Sequence, residues 1–123
     1  MKMGKMVSIK RIRAKRGFKH DLFIVSSGTA YSPAEGKETK LRELCTLIYN
    51  NSTMKFELAD NVASMTQYRK EKINSVISTR EFINGLLKFK YNPKVELVSI
   101  YLSNMPVSLV SDIEHAWREL WGG

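Results

Sequence analysis

The pattern of apolar and polar residues marks four stretches of this chain as strands, one of them by clean alternation with a period of two. Residues 7–14 form the first. Val7 and Ile9 share a face with Arg11 and Arg13, whereas Ile12 falls opposite. Either a bulge near Lys10–Arg11 resets the alternation, or the basic end of the strand overhangs the core. Lys15-Arg16-Gly17 reads as a turn in which Gly17 takes positive φ, and residues 18–25 return as a second strand. Its Leu22-Phe23-Ile24-Val25 run is apolar on both faces, which suits a central strand. Residues 53–59 set Met54, Phe56 and Leu58 against Thr53, Lys55 and Glu57. Residues 95–102, VELVSIYL, are β-branched and aromatic throughout.

Helical spacing governs the rest. Ser32, Pro33 and Glu35 make a helix start, with Leu41, Leu44, Cys45 and Ile48 following on one face up to Asn50-Asn51. Val62, Met65, Ile73, Val76 and Ile77 suit a helix whose stripe Arg69 interrupts. Ser78-Thr79-Arg80-Glu81 is a capping box ahead of Phe82, Ile83, Leu86 and Leu87, and Asn92-Pro93 ends that helix. A third box, Ser111 to Glu114, opens a last helix with Ile113, Ala116, Trp117, Leu120 and Trp121 inward. The expected order is ββαβααβα. This is one α+β domain over residues 1–123, with a mixed or antiparallel sheet of about four strands and helices packed against it.

Charge changes that picture at one end only. The first twenty residues hold eight of the twenty lysines and arginines and no acid, so the net +8 sits at that end of the chain, which carries the basic hairpin at residues 6–25. Such a field attracts polyanions. Lys10, Arg11, Arg13, Lys15, Arg16 and Lys19 are the candidate phosphate contacts, and Phe18 beside the turn can stack on a base. The 10–16 cluster also has the composition of a nuclear localisation signal. A second basic group comprises Arg69, Lys70, Lys72, Lys88, Lys90 and Lys94, with Tyr91 among them. Trp121 is a candidate dimer or partner contact.

The leading expectation is therefore a non-enzymatic intracellular protein that binds RNA or DNA mainly through phosphates. The first alternative is a small virus- or phage-type interaction module or inhibitor that docks on an acidic protein surface. The second is peripheral attachment to an anionic membrane, although these charges lie at strand spacing rather than on an amphipathic helix.

Catalytic chemistry finds little support. His20 and His115 each neighbour an acid in sequence, but adjacent residues point apart. Glu35-Gly36-Lys37 has a spacing used by metal-dependent nucleases but falls in a helix's first turn, without a second converging carboxylate. No zinc-ligand set or nucleotide-binding loop occurs, so neither metal nor cofactor is expected. Arg16-Gly17-Phe18 resembles the start of an RNA-recognition strand, but Lys19-His20-Asp21 breaks that pattern. Cys45, the single cysteine, reads as a small core residue in a reducing compartment. The longest apolar runs are far short of a membrane span, and no apolar stretch backs the N-terminal charge as a secretory leader needs.

Overall fold

Five strands make one antiparallel sheet in the order β4-β3-β2-β1-β5. The computed structural model describes residues 4–15, 17, 19–30, 41–102 and 118–121. The strands are β1 (Gly4–Ile12), β2 (Leu22–Ala30), β3 (Arg42–Asn50), β4 (Lys55–Leu58) and β5 (Leu97–Leu102). Two helices, α1 (Gln67–Ile77) and α2 (Arg80–Tyr91), come between β4 and β5, after a 3₁₀ turn at Val62–Ser64. The α+β class agrees with expectation, while the strand count and order differ.

β2 sits at the centre of the sheet, as its doubly apolar run requires, and its inward residues Phe23 and Val25 are buried. β5 alternates as expected: Val98, Ile100 and Leu102 are buried, whereas Leu97 and Tyr101 are exposed on the opposite face. α2 covers the inner face with Phe82, Ile83, Leu86 and Phe89. Thr79 caps it by accepting a hydrogen bond from the Phe82 N–H, and Ser78 instead closes α1. Gly85 lets this helix approach β5. A Cβ there would stand 2.5 Å from Ile100 Cδ1.

Residues 41–48 depart most from expectation. They form strand, not helix: β3 buries Cys45 and Leu47 by alternation. Leu44 is buried too, because the β2–β3 register slips between Val25 and Ser26. Val25 pairs with Cys45 and Ser26 with Glu43, which leaves Leu44 as the extra residue of a bulge. That bulge produces the adjacent apolar pair Leu44-Cys45, which imitates the i+3, i+4 step of a helix. β1, by contrast, runs in unbroken register from Gly4↔Ala30 to Ile12↔Leu22, so the first of the two alternatives for this strand, a bulge near Lys10–Arg11, is absent.

Three further details are corrected. The helix expected from residue 62 begins later, at Gln67 behind a Thr66 cap, and Val62 is exposed. β1 ends at Ile12 and β2 begins at Leu22, so the connection is longer than a three-residue turn, although Gly17 does take φ +100°. Trp121, the candidate partner contact, is only 9% exposed; it stacks on Phe82 and pairs with Phe56 beside β4. The capping boxes at 32–35 and 111–114, and Trp117, lie outside the described residues.

Cys45 is fully buried, and its pKa is pushed up to about 12, by burial first and by nearby Asp60 second. A thiol raised from its ordinary value of 9 stabilises the fold below about pH 9, and that contribution fades between pH 9 and 12 as the unfolded thiolate forms. In native protein at pH 8, Cys45 is expected to react with an aromatic disulfide reagent at least ~100-fold more slowly than in urea-unfolded protein. Equal rates would show that the strand opens readily.

Candidate nucleic-acid interface

Strand alternation decides where the basic residues of β1 point. Because the register is unbroken, Arg11 stays in phase with Val7 and Ile9 and enters the core face, only 7% exposed. Lys10 projects from the opposite face, cross-strand from Ile24 and Leu97. Arg11 is therefore removed from the surface set. Its Nη1 donates to Pro93 O at 2.9 Å and its Nη2 to Phe89 O at 2.5 Å. These bonds satisfy carbonyls at the C-terminal end of α2, where helix geometry leaves acceptors without partners. The guanidinium carbon lies 5.4 Å from the centroid of Phe23, its cross-strand neighbour, and 5.1 Å from that of Phe89. Burial chiefly, and then Arg13, lower the Arg11 pKa, while Asp21 and Glu96 act in the other direction.

Arg13 also donates to Pro93 O, and the Ala14 N–H donates to Asp21 Oδ1 at 2.8 Å, closing the base of the loop. The consequence is a convergence that sequence distance hides. The loop bearing Arg13, Lys15 and Lys19 is tied to the turn bearing Lys90, Tyr91 and Lys94. Arg13, Lys15, Lys19, Lys88, Tyr91 and Lys94 are exposed, and Lys90 is partly so. Arg69, from the same expected second group, goes elsewhere: it donates to Leu44 O and faces Asp60 at 3.9 Å. Lys70 and Lys72 lie with it on α1. Arg16 and Phe18 lie outside the described residues.

Beside Arg11 a pocket of about 200 Å³ opens between the ends of β1, β3 and α2 and the start of β2. Its walls are aromatic, from Phe23, Tyr49, Phe56 and Phe89, and its polar lining comes from Arg11, Asp21, Asn51 and Lys90. Phe23 makes edge contacts with both Phe56 and Phe89 at centroid distances of 5.2 Å. Sequence reading missed this pocket. Its one visible signal was an arginine in phase with two core residues.

Family models, curated proteins and solved structures give no match. Among the described residues no group of three His, Cys, Asp or Glu side chains could hold a metal ion, and no helix is long and apolar enough to cross a membrane.

Proposed function

We propose that the protein binds nucleic acid through the basic rim formed by the 13–21 loop and the C-terminal turn of α2. The observation that carries this reading is the joining of the two cationic segments through Arg11 and Arg13 to the carbonyls of Phe89 and Pro93. Lys90 lines the aromatic-walled pocket with Arg11 and Asp21, and Arg13, Lys15, Lys19 and Lys94 lie on the segments that these bonds join. Lysines at a helix C-terminus also favour its dipole, but that effect does not account for cations on a loop distant in sequence. Phosphate contacts dominate such a surface, and base contacts add specificity.

The test is the salt dependence of anisotropy with labelled oligonucleotides. About five phosphate contacts give a slope of log K against log salt near −3.5 on single strands and −4.5 on duplex DNA. Absence of binding at low salt, or a flat slope, overturns the reading. A stoichiometric acidic protein recovered after nuclease treatment would move the assignment to a protein-docking surface.

A further inference from the structure

We infer that the protein pairs with a second copy of itself along the open edge of β5, joining the two sheets into one. This pairing does not depend on the nucleic-acid reading.

The two edges of the sheet differ. β4 is short, carries Lys55 and Glu57, and is met at Phe56 by Trp121. β5 is longer, and its sequence, Leu97-Val98-Ser99-Ile100-Tyr101-Leu102, holds no charge, no proline and no bulge. Those are the devices that keep an edge strand from pairing with another chain. Among the described residues no strand lies beyond β5. The phase of its pairing with β1 then decides which backbone groups are free. The Arg11 N–H donates to Glu96 O, so Glu96 and, by alternation, Val98, Ile100 and Leu102 direct their backbone groups to β1. Leu97, Ser99 and Tyr101 turn theirs outward along the edge, and all three residues are exposed.

A second copy suits this edge because the edge is complementary to itself. Antiparallel pairing about a two-fold axis at Ser99 sets Ser99 against the partner's Ser99 and Leu97 against the partner's Tyr101. Each such pair exchanges two backbone hydrogen bonds. Leu97 and Tyr101, 59% and 47% exposed, then cover each other on the outer face. On the inner face Val98 meets the partner's Ile100. Charge agrees with this alignment. Glu96 comes opposite the partner's Leu102, whose cross-strand neighbour on β1 is Lys5, so unlike charges lie one strand apart at both ends. The basic loops, which follow Ile12 beside the Leu97 end, are carried to opposite ends of the joined strands, which limits their repulsion.

The experiment follows the mass of the full chain by sedimentation equilibrium from ~10 μM to ~1 mM, the range for a small interface, together with amide exchange. The mass is expected to rise toward twice that of one chain. The Leu97, Ser99 and Tyr101 amides should gain protection over the same range, whereas those of Val98, Ile100 and Leu102 are protected throughout. Two variants at these exposed positions test the register. Leu97→Lys with Tyr101→Lys sets like charges opposite each other and should leave the chain monomeric. Leu97→Lys with Tyr101→Glu removes the same apolar side chains but sets unlike charges together, and should dimerise at least ~10-fold more tightly. A parent chain still monomeric at ~1 mM overturns the proposal, whether its edge amides exchange freely or are already protected. A dimer that the two variants weaken equally would place the contact elsewhere and overturn it as well.

Discussion

Arg11→Met is expected to destabilise the fold by about 2–3 kcal/mol, measured as a lowered urea midpoint at unchanged slope. Two effects oppose each other. Methionine relieves the cost of burying a guanidinium that, among the described residues, has no carboxylate hydrogen-bonded to it. Yet Phe89 O remains and loses its donor, at about 1–3 kcal/mol for a buried acceptor left unpaired, while Pro93 O keeps the donor from Arg13. Contact with the Phe23 and Phe89 rings is lost as well, worth about 0.5–2 kcal/mol where the cation is desolvated. The orphaned Phe89 acceptor and the uncovered rings outweigh the relief. Arg11→Lys should recover only part of the loss, since an ammonium group lacks the planar fork that spans two carbonyls between two rings. A methionine variant as stable as the parent would show that burial of the charge costs as much as its contacts return.

The second large effect concerns binding rather than stability. Changing Arg13, Lys15, Lys90 and Lys94 together to Glu is expected to weaken oligonucleotide affinity at least ~100-fold at low salt and to flatten the salt dependence. Arg13, Lys15 and Lys94 are exposed and Lys90 is partly buried, so the urea midpoint should correspond to a change of no more than about 1 kcal/mol. The matched control changes Lys5, Arg42, Lys72 and Arg80, which are exposed away from the rim, and alters net charge by the same amount. That control should lose far less affinity. Equal losses in the two variants would mean that overall charge, not a defined rim, attracts the ligand.

The strands whose two faces differ clearly were legible from sequence. The Val98, Ile100, Leu102 series in β5 alternates without interruption, Phe56 is buried in β4 although Met54 falls outside that strand and is exposed, and α2 opens within the 78–81 box, capped by Thr79 rather than Ser78. β3 was misread because a bulge places two apolar residues side by side, and four positions then satisfy a helical period by accident. Leu47 and Tyr49, apolar between and beyond those positions, were the contrary sign. At the site, the cations of the loop were visible as composition. Their division was not: Arg11 turns inward only because β1 keeps its register, a property of pairing with β2 and β5. The pocket was illegible because residues 11, 21–23, 49–56 and 89–90 meet only through sheet order and the placement of α2.

β1 is completed by the strand made last among the five: Val7 pairs with Ile100, and the Arg11 N–H donates to Glu96 O. On a ribosome adding about 5–20 residues per second, several seconds separate emergence of the first strand from that of its outer neighbour. During that interval the basic loop exists, but the carbonyls that fix it at Phe89 and Pro93 do not. The basic rim thus comes into being late in synthesis, and a nascent chain halted before residue 89 carries the charge without the carbonyls that fix it.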